Sequence, residues 1–297
     1  MNRHEILDVA TVSASALFAR NNGFFSRSLE SSPIDEAVRN TECTVGDLQP
    51  DTVEEITATG PAGEFQAGYL VHHWEGSDVP TLLYHHGSGE NPFNFGRISS
   101  NSFRRIFSSK SGFDANLIAL RAPFHDRSNR EYIRAMGELE NFVGMLATST
   151  ALIQALTERL RDEGCPVILA SGISHGGWAV NLHRAYYGGL NRYVPIFAGA
   201  RLDDLFVSSI YRKLASDSVQ KNQDKVAATL DFESDFTAVE GDGCDPLLAR
   251  YDRIVEFESQ RPCYAGLGLD VLEKGHVTGS LATDALRNHV QQSLLAV

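Results

Sequence analysis

A chain of 297 residues could hold two average domains, yet α/β domains of this size commonly build one large core. Hydrophobic residues at 42% and charged residues at 22% are ordinary for a globular chain. The net charge of −12, with no basic stripe or arginine cluster to offset it, argues against a nucleic-acid partner.

In chain order, residues 1–20 begin polar and carry an apolar stretch, 9–18, interrupted by Thr11, Ser13 and Ser15. No basic run precedes that stretch, so it reads as an amphipathic helix and not as a signal peptide. No apolar segment approaches the length that spans a bilayer. The helix is expected to lead into irregular chain up to residue 50, with residues 51–297 forming the main domain. The cysteines Cys43, Cys165, Cys244 and Cys263 show neither CxxC nor zinc spacing, and Cys165 opens a buried strand. A reduced, cytoplasmic setting is expected.

Two β-rich runs, 53–58 and 65–72, flank Gly60-Pro61-Ala62-Gly63 and predict a hairpin. Apolar runs at 80–85, 115–120, 166–171, 193–197 and 246–249 are short, and several lack strict alternation, as strands buried on both faces do; a last run at 269–272 precedes His276. Helical patterns at 133–163, 175–187 and 282–295 interleave with them; Gly164 and Pro166 close the first. Strand–helix alternation predicts an α/β, doubly wound, mostly parallel sheet. Residues 201–245 break the alternation. They are helix-like and polar to residue 230 and acidic thereafter, and they read either as a lid over the carboxyl ends of the strands or as a surface insertion.

The segment Gly172-Ile173-Ser174-His175-Gly176 joins an apolar run to a helical pattern. A serine at the tip of a sharp strand-to-helix turn sits in strained backbone, and side chains at the flanking positions would collide with the turn, so Gly172 and Gly176 fit there. A nucleophilic Ser174 needs a base, a group to orient the base, and an oxyanion hole. His276 is the base candidate, lying between the last strand and the last helix. His289 lies within the terminal helical pattern and reads as a surface residue. Asp252, 24 residues before His276, follows the run at 246–249 and can accept the imidazole Nδ1 proton; Asp245, Glu256 and Asp270 are its rivals. Backbone N–H groups of His175, at a helix start, and of Ser88 are the oxyanion donors, with Gly87 letting the chain turn tightly toward the elbow.

Pro123-Phe124-His125 reads as a lining of the site or as a structural turn. The pairs His72-His73 and His85-His86 do not suggest a metal site, because adjacent strand residues point to opposite faces. Gly87-Ser88-Gly89 lacks the continuation of a dinucleotide fingerprint, and no phosphate-loop lysine motif occurs. No cofactor and no metal are expected.

With the His86-Gly87 turn, the nucleophile elbow Gly172-Ile173-Ser174-His175-Gly176, Asp252 and His276 in this order, residues 53–297 resemble the α/β-hydrolase superfamily. More narrowly, Arg121-Ala122-Pro123-Phe124-His125-Asp126-Arg127, Ser171-Gly172-Ile173-Ser174-His175-Gly176-Gly177 and Val194-Pro195-Ile196 resemble the α/β-hydrolase domain-containing protein 18-like group. That group has methionine after the serine, and His175 departs from it at a position that contributes only a backbone N–H. The resemblance implies a serine enzyme cleaving an ester, thioester or amide of a small acyl substrate, or an acyltransferase. A catalytically silent binding protein on the same fold stays open.

Overall fold

The protein is described as a computed structural model covering residues 1–19, 23–96, 99–107, 113–241 and 243–297. Arg20 of the expected N-terminal helix and Asp242 of the 201–245 segment lie outside the described residues. Among the described residues one sheet holds nine strands: β1 (Glu42–Cys43), β2 (Val53–Gly60), β3 (Gly63–His73), β4 (Thr81–His85), β5 (Asn116–Arg121), β6 (Ile168–Ile173), β7 (Arg192–Ile196), β8 (Leu247–Ala249) and β9 (Asp270–Leu272). Their spatial order is β1-β2-β3-β5-β4-β6-β7-β8-β9. The first three strands and the β3–β5 pair run antiparallel; every pairing from β5 through β4 to β9 is parallel.

The expected hairpin is present, with Gly60 opposite Gly63. The central strands alternate side chains between two cores, and this is why their sequences read as unbroken apolar runs. Leu83, Ile118, Leu120, Ile168 and Ala170 face one side, while Leu82, Tyr84, Leu117, Ala119 and Leu169 face the other. The first core is closed by the helices Leu139–Asp162 and His175–Tyr186, the second by Ser102–Phe107 and Thr283–Leu295. A doubly wound, mostly parallel α/β sheet is therefore what forms.

Three expectations need correction. The helical pattern at 133–163 is two helices, Asn129–Ala135 and Leu139–Asp162. At the break, the carbonyls of Met136 and Gly137 accept N–H bonds from Phe25 and Arg27 (2.9 and 2.8 Å), so a pairing with residues 25–28 replaces one helical turn. The chain up to residue 50 is not all irregular after its first helix: Ile34–Arg39 is helical, and Phe25, Ile34, Ala37 and Val38 belong to the first core. His289 is buried, with its ring between Asp270 Oδ2 (3.1 Å) and the Asp245 carbonyl (3.0 Å).

The N-terminal helix, Arg3–Ala19, packs in a way its composition conceals. His4, Asp8 and Val12, four residues apart and so on one face, are buried, whereas Ile6, Leu7 and Leu17 are exposed. Residues 201–245 fold as short helices, Asp204–Val207, Asp217–Lys221, Gln223–Leu230 and Glu233–Thr237, with a 3₁₀ turn at Ile210–Leu214. Val219, Val226, Leu230, Phe232 and Phe236 anchor them in the first core. No helix among the described residues is long and apolar enough to cross a membrane.

Candidate active site

β6 delivers Ser174 at its carboxyl end, and the helix His175–Tyr186 leaves from it. Ser174 has φ 52° and ψ −112°, a left-handed backbone that a non-glycine residue adopts only under constraint. The constraint is visible: the Ser174 N–H donates to the Ile196 carbonyl (2.8 Å) and its own carbonyl accepts from Trp178 (3.0 Å). The flanking glycines are required by space. A Cβ on Gly176 would stand 2.3 Å from the His85 carbonyl oxygen, and one on Gly172 would meet the Gly176 backbone at 2.4 Å.

His276 opens the short helix His276–Ser280 after β9, and Asp252 follows β8. His276 Nε2 lies 3.1 Å from Ser174 Oγ, and its Nδ1 lies 2.7 Å from Asp252 Oδ2. The other Asp252 oxygen accepts the N–H groups of Ile254 and Val255, both at 2.8 Å, which leaves the carboxylate one orientation. The three residues named from the sequence thus meet in one hydrogen-bonded series. The rival carboxylates are engaged elsewhere: Asp245 with Arg192, Asp270 with His289, and Glu256 with Arg253. Burial alone would lower the His276 pKa. The charge and hydrogen bond of Asp252, with a smaller contribution from Asp8, outweigh it and raise the value above that of an ordinary histidine.

Asp8 is a neighbour that sequence reasoning missed. Its fully buried carboxylate reaches in from the N-terminal helix and accepts three backbone N–H groups: Arg253 (3.1 Å), His276 (2.9 Å) and Val277 (2.9 Å). One turn before it, the His4 ring hydrogen-bonds Thr278 Oγ1 at 2.8 Å. A single acidic residue just before the apolar stretch at 9–18 was the only available signal.

The turn after β4 brings Gly87, Ser88 and Gly89 to the same cavity as Ser174, His175 and His276. Among the described residues, neither the Ser88 nor the His175 backbone N–H donates to a backbone carbonyl outside the regular helices and strands. Gly87 has a different place from the one its sequence suggested. Its φ is ordinary and a Cβ there would meet nothing closer than 3.4 Å; the left-handed residue of this turn is Gly89, with φ 73°.

Four buried histidines, His85, His86, His125 and His175, pack behind this turn with ring centroids 4.5 to 6.4 Å apart. The rings of His85 and His86 stack at 5.0 Å instead of pointing to opposite faces, because β4 ends at His85 and His86 already belongs to the turn. His86 donates from Nδ1 to the Gly87 carbonyl (2.7 Å) and accepts the Ala122 N–H at Nε2 (3.0 Å). His125 donates from Nδ1 to the Pro123 carbonyl (2.9 Å) and accepts the Gly89 N–H at Nε2 (3.3 Å). With both nitrogens so used, each ring is held neutral in its Nδ1–H tautomer. Burial lowers all four pKa values, those of His85 and His125 to about 4. Pro123-Phe124-His125 is therefore a structural turn that braces the neighbouring loop. Among the described residues, no group of three or more His, Cys, Asp or Glu could hold a metal ion.

The cavity in front of Ser174 measures about 610 Å³. Val12 and Phe24 from the N-terminal region, Met136 and Phe142, Trp178, and Leu205, Phe206, Tyr211 and Leu214 from the 201–245 segment make its walls mainly apolar. Four residues of the 201–245 segment thus line this cavity.

An α/β-hydrolase fold is what this sheet and elbow define. No protein-family model matches the chain, and no curated protein matches it. Among solved structures, acetyl xylan esterase 1 from Thermoanaerobacterium is similar at 15% identity and a TM-score of 0.54, over 87% of this chain and 95% of that one. An esterase from Pyrococcus furiosus is similar at 16% identity and a TM-score of 0.56, over 86% and 98%. An esterase from Pyrobaculum calidifontis gives 14% and 0.51, over 99% and 94%. At these identities the likeness is one of fold.

Proposed function

We propose that the protein is a serine hydrolase that cleaves a carboxylic ester of a small acyl substrate. The observation that carries this reading is the hydrogen-bonded series Ser174–His276–Asp252 at 3.1 and 2.7 Å, opening on an apolar cavity. His276 takes the proton of Ser174 Oγ as the oxygen attacks the acyl carbon. Asp252 fixes the Nδ1–H tautomer and stabilises the imidazolium that forms. The Ser88 and His175 N–H groups receive the oxyanion, the latter at a helix start whose dipole favours negative charge. His276 then returns the proton to the leaving alcohol, giving the acyl-enzyme, and activates the water that releases the acid.

The esterase names of the similar structures agree with an ester as substrate. The 201–245 segment acts as the lid of this site and the mainly apolar walls take the acyl chain. The segment Arg121 to Arg127, one of three stretches behind the narrower likeness to the domain-containing protein 18-like group, serves here through His125. Three of the four unpaired cysteines are buried, as suits a reducing, cytoplasmic compartment.

The test is turnover of short and medium p-nitrophenyl esters together with labelling by a fluorophosphonate. Wild-type protein is expected to turn over the ester and to take the label on Ser174, and Ser174→Ala to lose both with its circular dichroism unchanged. Turnover retained by Ser174→Ala overturns the assignment.

A further inference from the structure

The described chain places one buried carboxylate where the proposed chemistry has not used it. Asp8 belongs to the N-terminal helix, outside the span that resembles a hydrolase, yet it is fully buried against the two loops that carry Asp252 and His276. Its Oδ2 accepts the N–H of His276 itself and of Arg253, the residue after Asp252; its Oδ1 accepts the N–H of Val277. The seat is tight: a Cβ on Gly275 would stand 2.7 Å from Asp8 Oδ2. The same helix supplies Thr11, Val12 and Ser15 to the cavity wall.

We infer that Asp8 is a positioning residue for the reaction: its carboxylate clamps the loops after β8 and β9 in register and places a second negative charge behind the imidazole of His276. This rests on the serine-hydrolase reading above. One carboxylate that accepts N–H bonds from both loops fixes the distance between them, and so the alignment of Asp252, His276 and Ser174. Its charge also favours the imidazolium that forms in the transition state, adding to Asp252.

Other groups around His276 are accounted for. Ser174 Oγ faces Nε2 from the elbow, and the Phe197 ring lies 5.8 Å away at the end of β7. His4, on the helix of Asp8, bonds Thr278. On the outer flank Arg253 pairs with Glu5 (3.7 Å) and Glu256 (3.3 Å), and Glu273 pairs with Arg250 (2.8 Å). Asp252 and Asp8 are the carboxylates that raise His276.

The experiment is Asp8→Asn, which keeps the shape and an acceptor oxygen but removes the charge. Two readouts are taken: the pH profile of p-nitrophenyl ester hydrolysis, and the NMR titration of the His276 Cε1–H, assigned by its loss in His276→Gln. The expected result is kcat lower by about tenfold with KM within about twofold. Both the acidic limb and the titration should move to lower pH, because a lost neighbouring anion makes the imidazolium less stable. If Asp8→Asn does not fold, Gly275→Ala, which pushes the carboxylate off its seat, is expected to move the titration in the same direction. An unshifted titration in the variant that folds overturns the inference, whatever happens to kcat. The titration does not depend on turnover, so a wild-type protein that cleaves no ester defeats the hydrolase reading and leaves the Asp8–His276 coupling separately measured.

Discussion

The Nε2 of His125 accepts the backbone N–H of Gly89 at 3.3 Å, which ties the turn after β5 to the turn that carries Ser88. Nothing else in the described structure occupies that N–H. His125 therefore anchors the turn that carries the proposed Ser88 donor, although it does not line the cavity itself. His125→Phe keeps a ring of similar size and removes the acceptor. Its expected effect is a kcat about tenfold lower with fluorophosphonate still bound at Ser174, since the donor is displaced and not deleted. A wild-type kcat would show that the loop needs no such brace.

Asp252→Asn separates geometry from charge at the orienting position. The amide oxygen can still accept the Ile254 and Val255 N–H groups, so the loop is expected to keep its form. The amide nitrogen would then face His276 Nδ1 and force the proton to Nε2, where it cannot accept from Ser174. Stopped-flow or steady-state kinetics should show kcat down by roughly four orders of magnitude, with the melting temperature little changed. A loss under tenfold contradicts the role given to Asp252.

The two glycines of opposite standing give a matched pair. Gly176→Ala drives a Cβ to 2.3 Å from backbone oxygen, which cannot move aside as a flexible side chain can, and it is expected to cost about 1–3 kcal/mol or more in urea unfolding. Gly87→Ala meets nothing inside 3.4 Å at an ordinary φ, so it should be neutral or stabilise by up to about 1 kcal/mol through the unfolded chain. Equal effects at the two positions would contradict the packing described for the elbow.

The buried histidines predict how stability varies with pH. His85 and His125 titrate near 4 in the folded protein, His183 near 3, and His86 and His175 well below the ordinary value. The unfolded chain takes up these protons near pH 6.5, where the folded chain refuses them, so stability present above about 6.5 falls as pH drops toward about 4. At about 1.4 kcal/mol per pKa unit, His85 and His125 would each remove on the order of 3 kcal/mol by pH 4. His276 has the opposite sign: its pKa is raised, so what it adds is present below about 6.5 and disappears as pH rises through its folded value. The urea midpoint at pH 7.5, 6 and 5 checks this, and a midpoint constant down to pH 5 would contradict it. Activity should follow His276, with the acidic limb of kcat/KM lying above about 6.5.

Residue type and order carried the centre of the site into view. Ser174, Asp252 and His276 were readable because each follows a short apolar run, and such runs are long enough to mark strands buried on both faces. The elbow glycines were readable because the reason for them is local, four residues apart. The rest depended on contacts the chain makes with distant parts of itself. The helix Arg3–Ala19 buries His4 and Asp8 and leaves Leu7 and Leu17 in water, the reverse of what amphipathic patterning assumes. The break at Gly137 exists because residues 25–28 pair there, and no local breaker announces it beyond one glycine. The histidine cluster gathers β4, the turn after β5 and the elbow, three places that share no spacing. A single histidine in a helix, as His289 is, reads as a surface residue because nothing near it in sequence announces the Asp270 and Asp245 groups that enclose it.

The bond from Asp8 to the His276 N–H closes a loop of 268 residues. During synthesis the carboxylate emerges first and waits through almost the whole length of the sheet before its partners at 253, 276 and 277 exist. That contact needs the chain out to residue 277, past every strand of the sheet among the described residues, before it can form. A chain that ends short of that point carries the proposed nucleophile without the groups that would place its proton acceptor.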